Sequence, residues 1–368
     1  MERQLEVNTV VIAAGGTAGH VVPALAVADA LRDRGWKVLF AGSSGGPEQD
    51  LVRDAGYPIE LFDVKGLDRK NPLKALRSLL LAAVAIPGAS RLLSRSGAQV
   101  VIGGGGFVAG PVGVAARLRR VPLVLMEADR SPGLTTRLLS RWAAGICLAF
   151  PTDGLGQGRI EVTGRPVRQV ILEADREDAR RRLGLTEGSP CLLVFGGSHG
   201  ARSINFTAVE GLAFDPDRDY EVVHVTGHRD HREVESLLEN GGQPPGYTVL
   251  EYEPDLGDCL AACDLVLARS GGSVFELAAT GRPAILVPYP HATGDHQQAN
   301  AEWMRDAGAA LIIDDAGLAP DSLRQAVSSL LADRSSLASM AEASASLARR
   351  DSADRIADMV VEVAGSTP

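Results

Sequence analysis

A chain of 368 residues is too long for one ordinary hydrophobic core, and two domains of roughly 150–200 residues are the default. With 45% hydrophobic and 23% charged residues and a net charge of −9, the composition is that of a folded globular protein and argues against a general nucleic-acid binder. The four cysteines, Cys147, Cys191, Cys259 and Cys263, form no CxxC pair and have no histidine at zinc-finger spacing, so they read as scattered thiols.

The charged start MERQLEVNT leads directly into a strand, TVVIAAG, and does not read as a secretory signal. A helix is predicted near Val22–Arg34, where Val21, Ala24, Leu25, Ala28 and Leu31 share a face. KVLFAG, AQVVIGG, VPLVLME and GICLAF follow as short apolar runs without polar alternation. Such runs suit parallel strands covered by helices on both faces. Two stretches between them mimic membrane spans. Ser78 to Ala89 falls short of the ~20 residues that cross a bilayer. Ser96 to Ala116 is broken by glycines and Pro111. Neither is expected to span.

After VTGRPVRQVI the pattern restarts, and CLLVFGGSHGARSINFTAV repeats the opening order of strand, paired glycines, histidine and helix. YEVVHVTG, YTVLEYE, CDLVLARSG and RPAILVPYP supply further strands, and the C-terminal 45 or so residues read as two or three helices. The expectation is two doubly wound α/β domains in tandem, joined near Pro151–Arg168. In such sheets ligands bind beyond the carboxyl ends of the strands, where glycines let a ligand approach the backbone. Gly15 and Gly196 open corresponding loops. Neither loop carries a dinucleotide GxGxxG with its acidic partner or a GxxxxGK[ST] phosphate loop, which disfavours both chemistries.

GGTAGHVVPALAVA, GGGGFVAGPVGVAARL, VTGRPVR, FGGSHGARSIN, RSGGSVFELAATGRPAILVPYPHATGDHQQANA and DAGAA, in this order from about Val11 to Ala310, resemble the MurG family, glycosyltransferase family 28. The resemblance implies the GT-B fold: two Rossmann-like doubly wound parallel-sheet domains facing across a cleft. It implies a first domain over 1–166, a second over 167–346, and a final helix, about 347–368, packing back onto the first. It further implies inverting transfer of GlcNAc from UDP-GlcNAc to the muramoyl-pentapeptide of lipid I, forming lipid II at the cytoplasmic face of the cell membrane. Other cell-wall enzymes are then expected partners.

Position by position, the resemblance makes His20 the residue acting on the acceptor. Thr17, Ala18 and Gly19 lie near the donor sugar, and Gly103, Gly104, Gly105 and Gly106 form the loop for the acceptor diphosphate. Arg168 and Ser198 match donor-binding positions, and Glu276 the acid holding the ribose hydroxyls. Gln297 matches the glutamine reading the GlcNAc hydroxyls, Glu253 the position whose backbone meets uracil, and Gly272, Ser273, Val274 and Phe275 the diphosphate turn. Three departures stand out. Asp129, in MEAD, replaces the asparagine of a donor-side HEQN and cannot donate when ionised. His199 replaces a glutamine, and the segment from RSG to Glu276 is one residue shorter.

A neutral imidazole accepts a proton near neutral pH, and the positive end of a helix disfavours its charged form, so His20 is the expected base. A capping or packing role is the alternative reading, and Glu127 and Asp129 are competing bases. Backbone N–H groups at helix starts near Ser198 and Ser273 would meet the departing diphosphate, so no metal or other cofactor is expected. Asp215 and Asp217 lie in a polar loop and do not read as metal ligands, and His291 and His296 read as loop histidines. Lys65, Arg69, Lys70, Lys74, Arg77, Arg91 and Arg95, interleaved with Leu73, Leu76, Leu79, Leu80 and Val84, suit peripheral docking on an anionic membrane. The competing activities are UDP-GlcNAc 2-epimerisation and transfer to another lipid or natural-product acceptor; a non-catalytic donor-binding role is the third reading.

Overall fold

The computed structural model describes residues 8–66, 71–156, 158–197, 201–253, 256–292 and 295–366. The chain divides into two units, Met1–Arg168 with Arg349–Pro368, and Gln169–Ala348.

The first unit alternates strands and helices: β1 Thr9–Ala13, α1 Ala18–Asp33, β2 Lys37–Ser43, α2 Glu48–Asp54, β3 Ile59–Phe62, α3 Pro72–Ser96, β4 Val100–Gly103, α4 Ala109–Arg119, β5 Leu123–Glu127, α5 Leu134–Leu139, β6 Gly145–Leu148 and β7 Arg159–Val162. The strands form one sheet in the order β3-β2-β1-β4-β5-β6-β7, every pair parallel. Alternate residues of β1 serve opposite cores. Val10 and Ile12 pack with Val21, Leu25 and Leu31 of α1, while Val11 and Ala13 pack with Ala89, Leu92 and Val112 of α3 and α4. This is why the strand sequences lack polar alternation.

In α1 the chain continues through Pro23. Proline has no N–H to give the carbonyl four residues back, and the freed Gly19 carbonyl accepts instead from Arg165. The helix therefore starts at Ala18, four residues before the predicted start.

In α3 the Asn71 side chain caps two N–H groups at 3.1 Å, Pro72 takes the first helical position and Gly97 ends the helix at φ +64°. At 25 residues α3 is long and apolar enough to cross a membrane by length and composition alone, which corrects the expectation of an apolar stretch too short to do so. Ser78, Ala85, Ala89, Leu92 and Leu93 are buried. Leu73, Leu76, Leu79, Leu80 and Val84 form the opposite stripe and are 55–78% exposed.

The second unit contains α6 Gln169–Leu172, α7 Arg176–Leu183, β8 Cys191–Phe195, α8 Arg202–Ala208 continued by a π turn Val209–Ala213, β9 Glu221–Val225, α9 His231–Asn240, β10 Tyr247–Leu250, α10 Gly257–Ala262, β11 Leu265–Ala268, α11 Val274–Thr280, β12 Ala284–Leu286, α12 His296–Asp306, β13 Ala310–Ile312, α13 Pro320–Ala332 and α14 Arg334–Ser346. Its parallel sheet runs β10-β9-β8-β11-β12-β13. After α14 the chain returns to the first unit as α15, Ser352–Gly365. There Ile356, Ala357, Met359 and Val360 enter the core beside α1. A Cβ at Gly145 would strike the Met359 sulfur, so glycine at the start of β6 seats that side chain.

Candidate active site

In both sheets the connection order reverses beside the first strand of the unit, between β1 and β4 and between β8 and β11. Crevices beyond the carboxyl ends of strands at such switch points are where open α/β sheets bind ligands.

In the first unit the two glycine loops meet there. Gly16 turns at φ +87°, and Gly105 and Gly106 at +98° and +78°. A Cβ on Gly106 would strike the Gly15 carbonyl, and one on Gly105 would strike the His20 ring. These contacts demand glycine independently of the positive φ. Thr17 is the N-cap of α1, with Ala18 and Gly19 in its first turn, and Thr17 Oγ1 lies 3.0 Å from His20 Nδ1.

His20, Glu127 and Arg165 line one recess with Gly19, Gly104 and Cys147. Burial first, then the Arg165 guanidinium, hold the His20 pKa below its ordinary value, while the Asp129 and Glu48 carboxylates pull it up. At neutral pH the ring is therefore uncharged, the state a base requires. Glu127 accepts from the N–H groups of Asp129 and Gly133 at 3.1 and 3.0 Å and from Thr136. Burial pushes its carboxyl up against these bonds. Both Glu127 oxygens are thus held by the 129–136 loop. Asp129 belongs to this same unit.

In the second unit Glu276 stands in the first turn of α11. Gln297 stands in the first turn of α12, where its Oε1 accepts from Tyr289 N at 2.9 Å. Ser270 Oγ donates to the Gln297 carbonyl at 2.8 Å and Asn300 donates to the Ser270 carbonyl at 3.0 Å, which ties the Gly271–Ser273 turn to α12. Val274 is fully buried and Phe275 packs on Trp303 with ring centroids 5.2 Å apart. Their side chains therefore serve the core. Glu253 follows β10, near the stacked rings of His228 and Tyr252, 5.0 Å apart. Arg168 is the last residue of the first unit before α6. Ser198 and His199 lie outside the described residues, as do Arg69 and Lys70; α8 begins at Arg202. Asp217 N donates to Asp215 Oδ1 at 3.2 Å, a local turn, and His291 stands edge-on to Tyr289.

Several organising residues escape the sequence reading. Arg165 follows a glycine in TGRP and reads as a loop cation until Pro23 is seen to orphan the Gly19 carbonyl. Arg269, nearly buried, donates to the Val287 carbonyl at 3.0 Å and to Ser203 Oγ at 2.8 Å, and pairs with Asp315 at 2.6 Å. One guanidinium thus links segments following β8, β11, β12 and β13. Buried Asp230 joins Arg202, Arg229 and Asn205, and Asn205 meets His224, whose pKa burial lowers to about 3.

Residues 10–148 match the glycosyltransferase family 28 N-terminal domain, and residues 191–356 match the family's C-terminal domain. A Halorhodospira halophila protein named UDP-N-acetylglucosamine–N-acetylmuramyl-(pentapeptide) pyrophosphoryl-undecaprenol N-acetylglucosamine transferase is 43% identical, over 98% of this chain and 99% of the relative. A Desulforudis audaxviator protein of the same name is 39% identical over 97% and 98%. The crystal structure of Acinetobacter baumannii MurG has a TM-score of 0.76 at 29% identity, covering 97% of this chain and 99% of that one. Two parallel α/β units of this kind are those of the GT-B fold. The chain belongs to glycosyltransferase family 28.

Proposed function

We propose that this chain is an inverting N-acetylglucosaminyltransferase, moving GlcNAc from UDP-GlcNAc to the muramoyl-pentapeptide of undecaprenyl-pyrophosphate-linked lipid I and so forming lipid II for peptidoglycan synthesis. The observation that carries the reading is the setting of His20, whose ring rests on Gly105 at the switch point of the first unit. It occurs in a chain whose 43%-identical relative bears that activity in its name.

His20 removes the proton from the attacking hydroxyl as the sugar passes through an oxocarbenium-like state. Gly103 to Gly106 take the acceptor diphosphate. On the donor side Glu276 holds the ribose, Gln297 the GlcNAc hydroxyls and the backbone at Glu253 the uracil. Arg168, Ser198 and the backbone of Gly272 to Phe275 receive the diphosphate, with Thr17 to Gly19 and Asp129 nearest the sugar. Backbone N–H groups neutralise the departing UDP, a role that leaves no requirement for a metal or other cofactor; activity is expected to survive a chelator.

The exposed stripe of α3, with Lys65, Lys74, Arg77, Arg91 and Arg95 along the same segment, docks the protein peripherally on the anionic cytoplasmic face of the membrane, where the lipid acceptor resides. Contacts with other cell-wall enzymes belong to the same setting. Incubation of the protein with labelled UDP-GlcNAc and a lipid I analogue tests the reading: label in the lipid supports it, and conversion of UDP-GlcNAc to UDP-ManNAc without acceptor replaces it with epimerisation.

A further inference from the structure

Glu48, the first residue of α2, is wholly buried. Its Oε2 accepts from Gly16 N at 3.1 Å, and its Oε1 from Ser43 N at 2.7 Å and from the Ser43 hydroxyl. Among the described residues no lysine, arginine or histidine pairs with it. Backbone donors, a hydroxyl and the start of α2 carry the charge instead. A Cβ at Gly15, Gly42 or Gly46 would collide with this side chain, so three glycines make room for it.

The carboxylate also stands at one end of a run of contacts. It holds Gly16 and abuts Gly15; the Gly15 carbonyl lies against Gly106, and Gly105 lies against His20. We propose that Glu48 is a positioning residue for the transfer reaction, clamping the turn between β1 and α1 so that His20 and the Gly103–Gly106 loop keep their register. This rests on the transferase reading above. The Glu48 carboxylate also raises the His20 pKa, in company with Asp129 and against burial and Arg165; Glu127 and Cys147, whose thiol burial pushes up, are the other titratable groups lining the His20 recess.

Glu48→Gln keeps the shape but offers one acceptor oxygen where the carboxylate offers two, and points an N–H pair at a backbone donor. Purified, folded E48Q is expected to lose at least tenfold in kcat with donor KM within twofold of wild type. Its acid limb is expected at lower pH, because an anion favouring the imidazolium is gone. A part that merely supports folding would lower yield or Tm and leave kcat and the acid limb in place; that result overturns the clamp. Where E48Q gives no folded protein, Ser43→Ala carries the test, deleting the hydroxyl bond and keeping the charge. It is expected to lower kcat at least threefold at constant donor KM, and an unchanged kcat overturns the proposal. Wild type inactive toward the lipid acceptor brings down the reading and the clamp together, whereas E48Q as active as an active wild type brings down the clamp alone.

Discussion

Thr17 Oγ1 and His20 Nδ1 lie 3.0 Å apart, joining the N-cap of α1 to a residue in its first turn. The Nε2 edge of the same ring faces Gly105. When Nδ1 carries the proton and donates to Thr17, Nε2 keeps its lone pair for an acceptor hydroxyl. The Thr17 hydroxyl can donate or accept, so its bond orients the ring in either tautomer. His20→Ala is expected to lower kcat by roughly 10²–10⁴-fold, the usual range for a lost general base, with a small change in donor KM. Thr17→Val keeps the shape without the hydroxyl and is expected to lower kcat by about tenfold, one hydrogen bond's worth. Steady-state kinetics with both substrates checks both.

With His20 as the proposed base, activity is expected to fall as pH drops through its pKa, which lies below its ordinary value. The Arg165 cation disfavours the imidazolium and Asp129 favours it. Arg165→Gln therefore moves the acid limb of kcat to higher pH, and Asp129→Asn moves it lower. A pH–rate profile of each variant reads the two opposite signs.

Glu276 is half-exposed in the first turn of α11, where a carboxylate is favourable in any case. Glu276→Ala is expected to raise donor KM roughly tenfold while kcat at saturating UDP-GlcNAc stays within a few-fold, the pattern of lost uniform binding. Isothermal titration with UDP-GlcNAc gives the same loss as affinity.

Replacing Leu76, Leu79 and Leu80 together by asparagine removes part of the α3 stripe without touching the core, since all three are more than half exposed. Each leucine inserted in lipid contributes on the order of 1 kcal/mol. Binding to anionic vesicles is therefore expected to weaken by about 100-fold, with transfer to a water-soluble acceptor analogue unchanged. Sedimentation with vesicles measures the first and the transfer assay the second.

Much of the fold was legible because buried parallel strands write themselves as uninterrupted apolar runs. The strands that escaped were short and peripheral: β3, β7 and β13 are edges. β7 is Arg-Ile-Glu-Val, half charged, and its charges pair across to α15, Glu161 with Arg355 and Arg159 with Glu362. The α1 boundary slipped because Pro23 normally marks a helix start, and the carbonyl it orphans is satisfied by a residue 146 positions away. The length of α3 was hidden by Pro87 inside it. Loop glycines and candidate chemistry could be read locally. Glu48, Arg165 and Arg269 could not, since nothing in a local stretch says whether a charged side chain folds back under a turn or faces water.

The most direct measurement is single-turnover transfer of labelled GlcNAc from UDP-GlcNAc to lipid I analogue, by wild type and by His20→Ala. Label is expected in the lipid product for wild type, at a rate the substitution cuts by at least two orders of magnitude. A His20→Ala protein transferring at the wild-type rate would contradict this and move the base to Glu127 or Asp129.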